Sequence, residues 1–387
     1  MQAQHIVSEF ELRELIAYFL RLGTLGFGGP IALVGYMQKD LVEERDWFSK
    51  DDYLQGLAFC QLSPGPLAAQ LAIYLGWLRA GVLGGTLTGV AFILPSFVMV
   101  VVLAALYVRF GSLPWIQGVF YGVGAAVIAI ITRSAVKLVR TTLGQDWLLW
   151  IVFAAMAITT AWRESEIVWL FVVCGIVVML IKAPPKTKPL AVALFPASFG
   201  RLITGAHGIA TLGAVGTLFL FFVKAGAFVF GSGLAIVPFL YGGVVGRFHW
   251  LSERQFVDAV AVAMITPGPI VITAGFIGYL VAGVLGAIAA AFAVFAPPYF
   301  FVLLAAPYYR RFASNLQVKA FVKGVTAAAV GAIVGAAFIL ARRSLVDVPT
   351  VLIAVVVFIA LTLTKKIPEP LLIGAAGIIG LFLRGNV

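Results

Sequence analysis

Two short stretches of the sequence place a hydroxyl side chain directly before a proline, a glycine and a second proline. They are Ser63-Pro64-Gly65-Pro66 and Thr266-Pro267-Gly268-Pro269. Proline fits the first turn of a helix, where its missing N–H would have no partner, so each stretch can end one helix and begin another. The free N–H groups and the dipole at a helix start favour an anion. The pattern therefore predicts two oxyanion-binding breaks, at which Ser63 and Thr266 supply hydroxyl groups.

A glycine-rich break precedes each Pro-Gly-Pro stretch. In the first half it is Gly28-Gly29-Pro30, whose glycines leave the backbone open to a ligand. The repeat partner of Gly28 is Gly231, and a cation lies before each break, Arg21 in one half and Lys224 in the other. A cation within an apolar span is costly unless it has a partner, so a dianion is the predicted partner. The alternative is that both side chains extend to the membrane interface.

Amide and acidic side chains near the breaks suit substrate binding or coupling. Gln61 and Gln70 flank the first Pro-Gly-Pro stretch and can donate to an oxyanion, although Gln61 equally suits helix packing. Glu43-Glu44-Arg45 stands just before that stretch, where it suits gating, proton exchange or a solvated loop. Asp258 is the one carboxylate that falls clearly within a predicted span, and it is a further candidate for gating or proton coupling. This scarcity of acidic groups argues against a cation carrier and against a relay of Asp and Glu side chains at the midplane.

The elements that hold these breaks must lie in a membrane. Of the 387 residues, 62% are hydrophobic and 11% charged, whereas a soluble domain is about half apolar and a quarter charged. The formal net charge is +11, but the basic residues punctuate apolar segments, which favours membrane topology over nucleic-acid binding. The histidines and cysteines show no metal-ligand spacing, and no paired carboxylates are visible. The sequence predicts a multi-pass membrane protein that is not an enzyme and needs no cofactor or metal.

The chain contains an internal duplication. At a shift of 203 positions Trp47 meets Trp250 and the two Pro-Gly-Pro stretches align, and after the loss of one residue the shift is 202. A register kept over about a hundred residues indicates a repeat. The basic, proline-rich stretch Lys182–Pro189 cannot continue a helix and separates the copies. The predicted units are residues 1–182, a linker over 183–208, and residues 209–387.

Charge counting predicts that the copies are inverted. With Lys224 set aside, a crossing Tyr53–Leu78 gives six spans per half and 13 Lys and Arg on each face. If that segment enters the membrane and returns, each half has five spans, the first of which is Leu12–Gln38. One face of the membrane then has 17 Lys and Arg and the other has 9. Because the Lys and Arg bias sets orientation, the asymmetric division is preferred and the linker is cytoplasmic. The predicted fold is all-α, with two inverted homologous halves, each of five spans plus a re-entrant Pro-Gly-Pro helical hairpin.

The motifs resemble those of a known family. Phe27-Gly28-Gly29-Pro30, Val42-Glu43-Glu44-Arg45 and Gln61-Leu62-Ser63-Pro64-Gly65-Pro66 are similar in order and spacing to motifs of the chromate ion transporter family in its two-domain form. The resemblance implies a bacterial inner-membrane protein with antiparallel halves that exports chromate with energy from the proton gradient and confers chromate resistance. The family's motif glutamates and arginine fall on Glu43, Glu44 and Arg45, whereas the second half has Val245-Gly246-Arg247.

The predicted function is secondary transport of a tetrahedral oxyanion, bound between paired re-entrant half-helices and moved by alternating access. Chromate and sulfate share shape and charge, so sulfate or another oxyanion is an alternative substrate. A channel-like anion pathway is a second alternative, which the coupling of flux to a pH gradient would distinguish. The expected partners are the oxyanion and the lipid bilayer, and a homodimer is left open.

Overall fold

A computed structural model describes residues 10–27, 29–163, 168–184, 212–227, 233, 236–309, 315–364 and 367–384. Within these ranges the regular secondary structure is helical, and no β-strand is formed. Two predicted site residues, Gly28 and Gly231, lie outside the described residues, as does most of the predicted linker.

The described part of the first half has seven α-helices and a π-helical segment, Lys39–Glu44, after the second of them. They are α1 (Leu12–Leu25), α2 (Gly29–Gln38), α3 (Lys50–Leu62), α4 (Leu67–Phe110), α5 (Pro114–Leu143), α6 (Trp147–Arg163) and α7 (Val168–Lys182). The second half repeats this order, with a π-helical segment over Tyr241–Arg247 and a 3-10 turn over Ile270–Ile272. Its helices are α8 (Leu212–Ala227), α9 (Ile236–Leu240), α10 (Glu253–Ile265), α11 (Thr273–Ala305), α12 (Leu316–Ser344), α13 (Val348–Leu363) and α14 (Glu369–Arg384).

The equivalent helices α3 and α10 begin in the same way. Ser49 caps α3 by accepting a hydrogen bond from the Asp52 N–H over 3.1 Å, and Ser252 caps α10 by accepting one from the Gln255 N–H over 3.3 Å. Each helix has 13 residues and is therefore about 20 Å long. Both end where a Pro-Gly-Pro stretch begins, so the caps and the stretches fix the same helix in both copies.

The long helices α4 and α11 each contain a sharp reversal at the same repeat position. At Ala80-Gly81 the φ values are −146° and 59°, and at Ala282-Gly283 they are −145° and 64°. Across the first reversal the Thr88 hydroxyl donates to the Ala72 carbonyl over 2.9 Å. Each long helix therefore has a first arm before the glycine and a second arm after it, and the arms of α4 lie antiparallel.

The chain also reverses between α1 and α2, where the sequence predicts a single span. The Tyr18 hydroxyl on α1 donates to Asp40, just beyond α2, over 3.1 Å, and Phe10 stacks on Trp47 with ring centroids 4.6 Å apart. Residues so far apart along one helix could not touch. The prediction of one span over Leu12–Gln38 is wrong, and the five spans predicted per half are not confirmed. A helical hairpin and a span of the same apolar residues have the same hydropathy, so composition cannot separate them.

The two halves run in opposite directions. Arg79, beside the reversal in α4, donates to the Phe10 carbonyl over 2.7 Å, and Phe10 stacks on Trp47, just before α3. At the far end of the second arm, Tyr107 donates to Asp258, near the start of α10, over 2.7 Å. The equivalent helices α3 and α10 therefore begin at opposite ends of an arm about 40 Å long. The predicted inversion is confirmed. The end with Arg79 and Phe10 is termed face A, and the end with Tyr107 is termed face B.

The last two helices of each half pack against the other half. Helices α6 and α7 pack on α12, while α13 and α14 pack on α5. Gly331 of α12 lies against the backbone of Phe153 in α6, and Gly122 of α5 lies against the backbone of Ala376 in α14. Small residues let membrane helices approach this closely. The described parts of the two halves are thus interlocked, and the predicted unit boundaries at 182 and 209 stay predictions.

Four helical segments among the described residues are long and apolar enough to cross a membrane. They are Leu67–Phe110, Pro114–Leu143, Ile270–Tyr308 and Leu316–Ser344. They correspond to α4 and α5 and to their repeat partners in the second half. The protein is therefore a multi-pass membrane protein whose central helices come in inverted pairs.

Candidate functional site

The breaks of the two halves meet inside the molecule. The Gly268 N–H, in the second Pro-Gly-Pro stretch, donates to the Gly26 carbonyl at the end of α1 over 3.1 Å. A Cβ atom at Gly233 would lie 3.9 Å from Pro30 and 3.5 Å from Ile270. Breaks predicted separately in opposite halves are therefore neighbours. These five residues, Gly26, Pro30, Gly233, Gly268 and Ile270, are termed the break cluster.

The first Pro-Gly-Pro stretch packs on the long helix of the other half. Helix α3 ends as the Ser63 N–H bonds back to the Phe59 carbonyl, and α4 begins directly after Pro66. Gly65 has a φ of +141°, and a Cβ there would lie 2.5 Å from the Cβ of Pro298 in α11. Glycine tolerates this φ and this close approach, and other residues do not.

Gln70 stabilises the first break from within its own half. Its side chain is fully buried, and Nε2 donates to the Pro64 carbonyl over 2.7 Å and to the Ser63 hydroxyl over 3.1 Å. The Ser63 hydroxyl donates in turn to the Cys60 carbonyl over 3.2 Å. Both N–H donors of Gln70 are thus used inside the break, and its Oε1 accepts no hydrogen bond from the described residues. Gln61, by contrast, is exposed at the end of α3.

The second Pro-Gly-Pro stretch is stabilised by the other half. The Thr266 hydroxyl donates to the Val262 carbonyl of its own helix over 2.7 Å. Ser96 of α4 donates to the Gly23 carbonyl over 3.4 Å, and a side chain at Gly268, where φ is +101°, would overlap the Ser96 hydroxyl. The stretch leads into the 3-10 turn before α11 begins. Its support is therefore the buried Ser96 and the Gly26 carbonyl, both supplied by the first half.

A small cavity opens onto the break cluster. Its walls include Phe27, Thr266 and Glu369, and its volume of about 20 Å³ has room for about one water molecule. A tetrahedral oxyanion would need the surrounding helices to move apart. Glu369, the first residue of α14, pairs with Arg133 across 3.9 Å. Sequence reasoning missed Glu369 because it stands between two apolar segments; its place between two prolines at a helix start was the available signal.

Arg21 and Lys224 lie at equivalent positions of α1 and α8, and both side chains are exposed on the protein surface. Neither forms an ion pair with a carboxylate of the described residues. The opposite face of α1 is buried through Phe19, Leu22 and Gly23. The structure therefore places both cations on the outer surface, and their role in binding an anion stays a prediction.

The acidic motif before α3 lies at face A, away from the break cluster. Glu43 accepts a hydrogen bond from Gln38 over 3.0 Å, and Glu44 pairs with Lys39 across 3.3 Å. All three motif residues, Glu43, Glu44 and Arg45, are exposed. The Arg45 guanidinium lies 4.7 Å from the Trp47 ring centroid and 5.5 Å from that of Tyr18. The motif thus fastens the end of the α1–α2 pair, and its part in gating stays a prediction.

Asp258 lies between the break cluster and face B. It is 3% exposed on α10, and the Tyr107 hydroxyl of α4 donates to it over 2.7 Å. Thr266, where α10 ends, is two turns further along the helix, at about 12 Å. The structure therefore brings a buried carboxylate near the breaks, in contact with the other half.

Comparison with known proteins gives a consistent result. The family profile described as "Chromate transporter" matches residues 13–179 and again residues 216–381. A chromate transport protein of Cupriavidus metallidurans is 55% identical over 97% of this chain and 94% of its own length. A probable chromate transport protein of Synechococcus elongatus is 53% identical over 97% of this chain and 96% of its own length. A chromate transport protein of Pseudomonas aeruginosa is 31% identical over 90% of this chain and 85% of its own length. No solved structure matches significantly.

Proposed function

The chain belongs to the chromate transporter family, and from that premise we propose that it carries chromate, a tetrahedral dianion, out of the cell across the bacterial inner membrane. The relatives at 55% and 53% identity, matched over nearly the full chain, are named as a chromate transport protein and a probable one. The shared length covers both repeats, so the whole transport unit is common to them.

The observation that supports a substrate site is the contact between the breaks of inverted halves, where the Gly268 N–H reaches the Gly26 carbonyl. Transporters built from inverted repeats bind substrate where discontinuous helices aim their N-termini at anionic groups. The first backbone hydrogen bond at the start of α4 joins the Gln70 N–H to the Pro66 carbonyl. The preceding amides have no intrahelical partner and can donate to an oxyanion.

The proposed ligands are therefore the backbone amides that follow Pro30, Pro66 and Pro269. Arg21 and Lys224 supply the positive charge, one from each half. The glycines of the breaks keep side chains out of the way, so that four oxyanion oxygens can be reached from several directions. This arrangement recognises charge and tetrahedral shape and needs no metal or cofactor.

The proposed membrane arrangement has the Pro-Gly-Pro stretches as tips of re-entrant hairpins near the bilayer midplane. Gly56 of α3 lies against the Tyr74 ring of α4, and the rings of Phe59 and Tyr74 are 6.0 Å apart. These contacts support a return of the chain after the tip. An α3 of about 20 Å reaches past the middle of a hydrocarbon core of about 30 Å.

Transport follows from alternate opening of the helices around the tips, since the present cavity is too small for the substrate. Energy comes from the proton gradient, whose electrical component, negative inside, drives an anion outward. A buried carboxylate and a pair of closing hairpins suit a carrier, in which flux saturates. A channel would pass chromate without saturation or coupling to protons.

The test is uptake of chromate by proteoliposomes with and without an imposed proton gradient, against sulfate, molybdate and phosphate. We expect saturable, gradient-dependent chromate flux. Arg21→Gln and Lys224→Gln should each lower it about 10- to 100-fold, because a charged hydrogen-bond partner contributes about 1.5–3 kcal/mol. Arg13→Gln, which removes an exposed cation of α1 near face A, is the matched control and should transport normally. Normal flux in both first variants would overturn the anion role, and absent chromate flux in wild type would overturn the proposed function.

A further inference from the structure

Among the described residues, the one side-chain hydrogen bond of Asp258 joins the two halves. The carboxylate is on α10 of the second half, its partner Tyr107 is at the end of α4 of the first half, and the distance is 2.7 Å. Aromatic rings enclose the pair: Phe120 lies 5.3 Å and Phe276 5.5 Å from the Tyr107 ring. A carboxylate enclosed in this way is shielded from water, and few neighbouring groups stabilise its negative charge.

Two titratable groups act on Asp258, the Tyr107 hydroxyl and the Arg254 guanidinium. Arg254 is one helical turn toward face B, is exposed, and donates to the Gln117 carbonyl over 3.1 Å. No ion pair joins Asp258 to a cation among the described residues. Charged or titratable groups on elements packed against α10 also include Arg109 on α4, Tyr121 on α5, Tyr241 and Arg247 in the π-helical segment, Tyr279 on α11, and Glu369 and Arg384 on α14. Of these, the Tyr241 ring contacts Phe256 of α10, with ring centroids 5.5 Å apart.

A charge at this depth is costly, so an unpaired carboxylate inside a membrane protein binds a proton readily. Protonation removes a negative charge about 12 Å from the end of α10, where the breaks meet. That charge would repel a dianion at the break cluster. A proton on Asp258 and an oxyanion at the breaks therefore favour each other, and the effect is reciprocal.

The repeat makes the site asymmetric. Tyr309 occupies the position equivalent to Tyr107, but the position equivalent to Asp258 is Gln55, an amide that does not take up a proton. Of these two equivalent positions, only that of Asp258 can thus change charge. The site therefore binds one proton in each transport cycle.

We propose that Asp258 and Tyr107 form a proton-binding site, in which a proton converts the carboxylate to a carboxyl group as chromate binds at the break cluster. The inference rests on the proposed function. One proton then travels with each chromate dianion, so that the net transported charge is one negative charge, which the electrical component of the proton gradient drives outward. The Tyr107 hydroxyl positions the carboxylate and connects its protonation to the movement of the halves.

The test measures chromate affinity across the neutral pH range for wild type, Asp258→Asn and Asp51→Asn. Asp51 is an exposed carboxylate of α3, and its loss controls for net charge. We expect wild type and Asp258→Asn to bind equally at the acid end, and wild type to bind about tenfold more weakly at the alkaline end. Because chromate's own protonation affects every protein alike, the ratio of dissociation constants isolates the protein's proton. A constant ratio would overturn the proposal.

A second pair of variants guards against misfolding of Asp258→Asn. Tyr107→Phe should move the pH at which the affinity of the protein changes, while Tyr309→Phe, its repeat partner, should leave that pH unaltered. A pH-sensitive dye inside proteoliposomes should report proton movement with chromate for wild type and none for Asp258→Asn. Equal behaviour of the two tyrosine variants would contradict the inference. Absence of chromate binding by wild type would instead contradict the proposed function.

Discussion

The two Pro-Gly-Pro breaks have almost the same sequence but are supported by different parts of the molecule. The first is stabilised within its own half, where the buried Gln70 amide donates to Pro64 and Ser63. The second is stabilised across the halves, where Gly268 donates to the Gly26 carbonyl. The two copies of the repeat thus share the backbone break but differ in the groups that form hydrogen bonds with it. A symmetric fold can therefore carry unequal roles.

This difference suits a carrier. A break whose hydrogen bonds are internal keeps its shape when the halves move relative to one another. A break whose hydrogen bonds reach into the other half must exchange them during the same movement. We therefore expect the geometry of the second break to change when the halves move. Asp258, which lies on the same hairpin, is the proposed proton-binding residue.

The largest effect is expected from Gly268→Val. A Cβ at φ +101° is strained, and the side chain would overlap the Ser96 hydroxyl, so the contact between halves should open at a cost of at least about 3 kcal/mol. Thermal unfolding in detergent and chromate flux should both show the loss. Gly374→Val, on an exposed face of α14 with nothing near its Cβ, is the control.

The steric part of that effect can be separated from the backbone part. In a Gly268→Ala background, Ser96→Gly should recover some of the lost stability because it removes the overlapping hydroxyl, while the strain at positive φ remains. No recovery would mean that the contact with Ser96 is unimportant, and the second break would then depend on α4 less than the structure indicates.

A smaller effect is expected from Gln70→Leu. It leaves the buried Pro64 carbonyl and Ser63 hydroxyl without their donor, which costs about 1–3 kcal/mol. Thr273→Val changes one of the two positions of the second half, 272 and 273, that can align with Gln70. Its hydroxyl donates to the Ile270 carbonyl of its own turn, and the substitution should cost less than about 1 kcal/mol. Denaturant or thermal unfolding compares the two variants. Equal losses would show that the breaks are supported alike.

The smallest effect is expected from Arg45→Ala at face A. Its guanidinium stacks over Trp47 and Tyr18, and loss of exposed cation–π contacts costs about 0.5–1 kcal/mol. Arg247→Ala, one residue before the position equivalent to Arg45, removes a contact with the Phe248 ring and should cost less. A larger loss at Arg247 than at Arg45, measured by unfolding, would contradict the role of Arg45 in fastening the α1–α2 pair.

Several features of the fold could be predicted because they depend on local sequence. Proline and glycine locate the ends of α3 and the start of α4, and the repeat register places the same break at Gly268. The reversal at Ala80-Gly81 falls between the predicted re-entrant segment and the following span, because the glycine tolerates positive φ. The inversion agrees with the predicted division of Lys and Arg between the two faces, which depends on where each charge lies along the chain.

Other features depend on contacts between distant residues and could not be predicted. Nothing in the apolar stretch Leu12–Gln38 signals that Tyr18 reaches Asp40, because a hairpin and a span have equal hydropathy. The packing of α6 and α7 on α12 depends on glycine positions over a hundred residues away. Gln70 was expected to donate to the substrate, but whether its N–H groups are free depends on the geometry of the break.

The most direct test of the oxyanion site is the position of chromium in a crystal of the protein with chromate, found from anomalous X-ray scattering. We expect one chromium peak at the break cluster. The oxygens of that chromate should lie within hydrogen-bond distance of the amides that begin the helices of both halves. A peak beside Arg45 at face A, with none between the breaks, would contradict this account.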